Sequence, residues 1–169
     1  MSMYRRHLLA APLAAALAMP AIRTRAAAAK TLRMGFQKGE PTQLAAKQNR
    51  DLENRLAPLG WDVGWAEFQF GPPLLEAMRA GSIDFGAVGD TPPIFSQAAH
   101  GDLLYVSALR SGSQAILLPP DSPIRTLADL KGKKVAFGRG SSAHNFLIKA
   151  LAKAGLHYPD IQPLSLIHI

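Results

Sequence analysis

The chain has 169 residues, 48% of them hydrophobic and 18% charged, the balance of a folded domain rather than of a disordered segment. It contains no cysteine, which excludes a disulfide scaffold, a thiolate metal site, a cysteine nucleophile and a lipid-modified N-terminal cysteine. The net charge of +7 is unevenly placed: Arg5, Arg6, Arg23 and Arg25 fall in the first 29 residues with no acid, and the remainder holds 15 basic against 12 acidic residues, too even a balance for a nucleic-acid binder.

Residues 1–29 read as a signal peptide. Arg5 and Arg6 precede an apolar run from Leu8 to Ile22, and Ala26 to Ala29 supply the small residues that a signal peptidase reads. Cleavage is expected near Ala28 or Ala29. The run is too short to span a membrane, and Pro12 and Pro20 interrupt it. The paired arginines before His7-Leu8-Leu9 also resemble a twin-arginine signal, so the leader fits either the general or the twin-arginine route.

Beyond the leader, strand and helix signals alternate. Thr31–Phe36 reads as a strand and Gln43–Leu56 as a surface helix, with Thr42 as its cap. Trp61–Phe68 alternates as a strand does. Leu74–Ala80 reads as a helix stopped by Gly81, Ile83–Val88 as a buried strand, Ile94–His100 as a helix closed by Gly101, and Leu103–Leu109 as a further strand. The polar stretch around Arg110–Ser113 reads as a hinge. After it come a turn at Pro119–Pro123, a helical turn at Leu127–Leu130, a strand at Lys134–Phe137, an amphipathic helix at Ala143–Ala154 ended by Gly155, and a strand beginning at Ile161. This order argues for an α/β fold with mainly parallel sheets.

In open parallel sheets, ligands bind beyond the carboxyl ends of the strands. Three turns there have unusual composition: Gln37-Lys38-Gly39, Gly89-Asp90-Thr91, and Gly138 to Asn145. In the last two, glycine allows close approach of the backbone and a hydroxyl stands at a helix start, so free N–H groups face outward as an anion receptor. Simple capping by Thr91 and by Ser141 or Ser142 is the competing reading. Gly138-x-Gly140-x-x-Ala143, with Asp160 downstream, imitates a dinucleotide fingerprint, but Asp160 precedes the next strand instead of ending it. No Gly-x-Ser-x-Gly elbow surrounds Ser142, the five histidines lack metal-ligand spacing, and the acids form no obvious catalytic pair. Trp61, Trp65, Phe68 and Phe70 read as strand core.

Several stretches carry a family resemblance. Ala128-Asp129-Leu130-Lys131-Gly132-Lys133-Lys134-Val135-Ala136 resembles the start of the second lobe in type II periplasmic substrate-binding proteins. Gly35 to Gly39, Phe68 with Gly71-Pro72 and Leu75-Glu76-Ala77, Gly81 to Asp84, Gly89 to Phe95 with Gln97 to Ala99, and Gly140 to Leu147 resemble the aliphatic sulfonate-binding proteins of ABC importers, over about Thr31 to Pro163. The resemblance implies a two-lobed periplasmic protein, monomeric at full length, that closes on a small organosulfonate and delivers it to an inner-membrane permease, without catalysis or cofactor. It implies residues 30–109 as the first half of lobe 1, 110–114 as the hinge and 115–164 as part of lobe 2.

Family members are considerably longer, so the resemblance implies that both sheets are incomplete here and that the piece is aggregation-prone. Residues 165–169 read as a non-native tail. Expected ligand-binding groups are Gln37, Gly89, Thr91, Gly140, Ser141, Ser142, His144 and Asn145, with Asp90 bracing a donor rather than touching the sulfonate. The alternatives are the same fold binding taurine, nitrate or another small anion, and a dinucleotide-binding enzyme.

Overall fold

The computed structural model describes residues 30–110 and 112–166; the predicted signal peptide, Ser111 and residues 167–169 lie outside them. The first sheet is parallel and ordered β2-β1-β3. β1 (Lys30–Gln37) pairs with β2 (Trp61–Phe68) from Lys30↔Trp61 to Gln37↔Phe68. β3 (Phe85–Gly86) lies on the other side of β1. Met34, Gly35 and Phe36 are buried in succession, as in a strand covered on both faces.

The expected single helix at 43–56 is two. α1 (Pro41–Gln48) and α2 (Asp51–Leu56) are separated at Arg50, which takes the left-handed conformation at φ 56. On one straight helix Leu44 and Leu56 would lie about 120° apart; the break leaves Leu44, Leu52 and Leu56 each half-buried. Thr42 is not the cap. Glu40 holds that position without a side-chain bond, and Pro41 opens the helix.

α3 (Gly71–Arg79) buries Leu74 and Leu75 with Ile83. Leu74 is fully enclosed because Gly35 and Gly86 let it in: a Cβ at either would come within 2.9 or 2.8 Å of it. Arg33 and Asp84 form an ion pair that ties β1 to the approach of β3. The Arg33 hydrogen bonds lower the Asp84 pKa to about 2.

β3 is much shorter than the expected strand at 83–88. Past Gly86 the ladder stops, and the Gln37 side chain donates to the Ala87 carbonyl at 2.9 Å. The expected strand at Leu103–Leu109 does not form. Described residues between 101 and 118 have no regular structure, and Leu104, Val106, Leu109 and Leu117 are exposed. An apolar run becomes a strand only by pairing, and the β3 edge offers two residues.

The second sheet pairs β4 (Lys134–Phe137) with β5 (Gln162–Ser165) in parallel. α5 (Ser142–Lys153) connects them and buries Leu147, Ala150 and Leu151. Its core joins Leu130, Phe137, Leu147, Leu151, Leu156 and Ile161. Thr126 and Asp129 form a reciprocal cap on the helical turn Leu127–Leu130. β5 continues through Ser165, where the predicted tail begins. Each sheet therefore has its own core, and both are parallel with helical crossovers, the expected α/β class.

Candidate functional site

The two sheets meet at the carboxyl ends of their strands. Gly89, Asp90 and Thr91 follow β3, and Ser142 is the first residue of α5. The Thr91 N–H donates to Ser142 Oγ at 3.4 Å, across 51 residues of sequence. Thr91 Oγ1 donates to Asp90 Oδ1 at 3.0 Å. The Ser142 hydroxyl nearby and the Thr91 hydroxyl hold the Asp90 pKa below the ordinary carboxylate value; burial opposes them, and the charge of Lys149 adds to them. Gly89 makes the approach possible. A Cβ there would collide with Ser142 Oγ and lie 3.0 Å from Ser142 Cβ. Thr91 is buried, while Asp90 is exposed.

The turn before α5 is organised by its own side chains. Ser141 is buried at the N-cap; its hydroxyl donates to Gly138 O at 2.7 Å and accepts from His144 N at 3.4 Å. Gly140 takes a positive φ of 75° and donates its N–H to His144 Nδ1 at 3.2 Å. The imidazole stacks on Phe137, with ring centroids 4.8 Å apart. An accepting Nδ1 places the neutral ring's proton on Nε2. Burial first, and the charge of Arg139 second, lower the His144 pKa and favour that neutral form. Asn145, half-buried on the first turn, has no side-chain hydrogen bond among the described residues.

The two turns are not equivalent receptors, as the sequence suggested. α4 (Pro92–Ala98) begins with two prolines, which have no N–H, and Ile94 N is already bonded to Thr91 O at 3.1 Å. Thr91 stands at its N-cap without capping it. At α5, no hydrogen bond among the described residues engages the N–H groups of Ser142 and Ala143. The donor end of the site therefore belongs to α5.

Of the expected residues, the structure brings Gly89, Asp90, Thr91 and Ser142 into one contact, with Gly140, Ser141, His144 and Asn145 on the adjoining turn. Gln37 stands apart in hydrogen bonding, bracing the backbone after β3 through Ala87. Sequence reasoning assigned neither Phe70, read as strand core, nor Pro72 to the site, yet both lie against its glycines. A Cβ at Gly138 would lie 3.3 Å from Phe70, and one at Gly140 would lie 3.5 Å from Pro72. Their signal was the Gly71-Pro72-Pro73 break directly after β2.

The Asp160 carboxylate accepts from His157 N at 2.7 Å as part of a cap, which leaves the dinucleotide fingerprint without its acid. No group of three potential metal ligands occurs among the described residues. Two clefts lie elsewhere. One of about 540 Å³ lies between α2 and β2, and one of about 500 Å³ lies beside α5, floored by Ile116, Leu118 and Phe146. Neither is lined by a candidate residue.

Comparison with known proteins places this geometry. Residues 72–165 match the family described as ABC transporter, phosphonate, periplasmic substrate-binding protein. The alkanesulfonate-binding protein SsuA from Xanthomonas axonopodis pv. citri, solved bound to MOPS, is 51% identical with a TM-score of 0.74, over 80% of this chain and 47% of that one. The periplasmic aliphatic sulphonate binding protein SsuA from Escherichia coli is 49% identical with a TM-score of 0.64, over 81% and 44%. A protein of E. coli strain K12 named for binding aliphatic sulfonates is 49% identical over 136 residues, 79% of this chain and 42% of its own length. The chain thus spans about half the length of these relatives. Its match across more than half its residues shows that it belongs to the periplasmic substrate-binding protein family of ABC transporters.

Proposed function

We propose that the protein is the periplasmic solute-binding component of an ABC importer, and that it captures aliphatic sulfonates and hands them to an inner-membrane permease. The observation that carries this reading is the open N-terminus of α5, whose unclaimed N–H groups at Ser142 and Ala143 lie where the two sheets meet. A sulfonate is a permanent anion with three acceptor oxygens, and a helix N-terminus is a receptor for such a group. The uncommitted Asn145 amide and His144 Nε2–H add donors from the same turn. Capture of this kind makes and breaks no bond and needs no cofactor. In this reading residues 30–109 contribute to the first lobe, 110–114 form the hinge and 115–164 contribute to the second. Residues 1–29 direct export by the general or twin-arginine route.

The names of the relatives favour sulfonate over the phosphonate of the family description. So does Asp90, since a second negative charge on a phosphonate would sit less well beside its carboxylate. Calorimetry of the full-length protein against butanesulfonate, methylphosphonate and nitrate tests the reading, with butanesulfonate expected to bind most tightly. A hydrogen bond to a charged partner is worth roughly 1.5–3 kcal/mol, so Asn145→Ala is expected to weaken sulfonate binding by roughly 10- to 150-fold. Lys133→Ala, away from the turn, should leave affinity unchanged. Tighter binding of the phosphonate or of nitrate would overturn the choice of ligand.

A further inference from the structure

The charges of the chain divide unevenly between its two cores. Residues 30–110 hold eight basic and nine acidic side chains, whereas residues 121–164 hold seven basic and three acidic ones. The ion pairs divide the other way. Arg33–Asp84, Lys38–Glu67 and Arg79–Glu76 all belong to the first group, and no ion pair within 4.0 Å among the described residues engages a base of 121–164. The positive excess therefore sits on the second core, and it sits there unpaired. Much of it is gathered at one end. Lys131, Lys133 and Lys134 stand exposed at the amino end of β4. Because β4 and β5 are parallel, α5 returns the chain from the carboxyl end of β4 towards the amino end of β5, so its last turn brings exposed Lys153 to the same end. The turn that displays the lysines is pinned. Gly132 takes a positive φ of 70° and donates its N–H to Asp160 O at 2.7 Å, its carbonyl accepts from Gln162 Nε2 at 3.0 Å, and Lys133 N–H donates to Leu130 O at 3.0 Å. Two acids share this end, and both are turned to backbone: Asp129 accepts from the N–H groups of Arg125 and Thr126 at 2.9 and 2.8 Å, and Asp160 from that of His157 at 2.7 Å. Four lysines against two acids leave this face positive.

We infer that Lys131, Lys133, Lys134 and Lys153 form a face that docks on anionic phospholipid headgroups and so holds the protein at a membrane surface. The residue types decide between a lipid and a protein partner. Protein–protein interfaces are anchored by aromatic and arginine side chains in well-packed pockets and are depleted in lysine. Residues 131–134 offer three lysines and a glycine, with no aromatic or apolar side chain among them. A lysine ammonium is a compact charge with three donors on a flexible stem, which suits phosphate oxygens on headgroups that move beneath it. The contact of Thr91 with Ser142 lies at the carboxyl ends of the strands, the opposite end of the second sheet, so docking leaves that turn uncovered. The inference does not depend on which solute binds there.

The test is cosedimentation of the full-length protein, freed of residues 1–29, with vesicles of phosphatidylcholine alone and of an equal mixture of phosphatidylcholine and phosphatidylglycerol. The leader is removed because its four arginines would bind anionic vesicles by themselves. Binding is expected to the mixed vesicles only, and to weaken as salt is added. Each lysine near an anionic surface is worth about fivefold in affinity, so the triple variant Lys131→Gln, Lys133→Gln and Lys134→Gln should lose roughly 100-fold, with an unchanged far-UV circular dichroism spectrum. A variant matched in charge but altered on the first core, Lys38→Gln with Lys47→Gln and Arg55→Gln, should keep most of its binding. An equal loss in that variant would show that net charge and not this face binds, and would overturn the assignment. Equal binding to phosphatidylcholine alone would overturn the electrostatic account. Failure to bind the mixed vesicles overturns the inference and turns the face towards an acidic protein surface instead.

Discussion

At Gly89 the absent side chain is what allows two segments 51 residues apart to touch. Gly89→Ala forces a methyl against Ser142. Overpacking of this kind costs about 1–3 kcal/mol, which a urea unfolding curve would read as a lower midpoint. Adding Ser142→Ala removes the colliding oxygen, so the double variant should recover part of the loss. His144 makes a pH-dependent contribution. Its folded pKa lies below the unfolded value of about 6.5, because burial and Arg139 disfavour the imidazolium. Below pH 6.5 the unfolded chain binds the proton first, so this contribution is complete above that pH and is lost as pH falls through the folded value. The urea midpoint should decline between pH 7.5 and pH 5, and His144→Gln should flatten the decline; an identical profile in the variant would refute the account. Neighbouring residues explain why roles here were only partly legible in the sequence. Ser141 and Ser142 are adjacent hydroxyls at one helix start, yet the first is the buried cap and the second reaches the other sheet. Which hydroxyl turns inward depends on the fold of Gly138–Gly140, not on residue type. The two prolines at 92 and 93 did carry their signal openly, because an imide nitrogen has no proton to offer an anion.

Elements whose patterns are closed within themselves were readable before the structure. β1 and β2 are bounded by turn residues, β2 with apolar residues in alternation, and α3 and α5 end where Gly81 and Gly155 take positive φ. The strand expected at 103–109 has an equally apolar sequence and fails because a strand is completed by its neighbour, which no local pattern reports. The break at Arg50 was invisible because the apolar spacing of 43–56 reads as one helix, and only the backbone shows Arg50 in the left-handed region. For α5, Ser141→Ala should cost about 1 kcal/mol, the usual worth of an N-cap. Ser141→Asp should retain most of it, as measured by urea denaturation. For the first sheet, Asp84 has a folded pKa of about 2, lowered mainly by its hydrogen bonds to Arg33. Its stabilisation is present above the unfolded value near 4 and is lost as pH falls towards 2. Both partners are partly exposed, so the effect is small. Carboxyl NMR titration should show the low midpoint in the wild type, and Arg33→Gln should return it towards 4.

Across the whole molecule, the described residues that link the two cores form no ladder, and Leu104, Tyr105, Leu109 and Leu117 among them are exposed. Chymotrypsin in limiting amounts should cut there before it cuts either sheet, as judged by mass spectrometry of the first fragments; first cleavage within β1 or α5 would show that the cores are the weaker part. The division also orders events in time. The described strands of the first sheet have been synthesised by residue 86, well before β4 begins at residue 134. The first core can consolidate while the second is still being synthesised. The bond from Thr91 to Ser142 must then be closed across a loop of 51 residues, and the entropy of such closure grows only with the logarithm of its length. The contact between the two turns is thus closed at little entropic penalty for its span, and because it belongs to neither core, its opening would leave the packed residues of both in place.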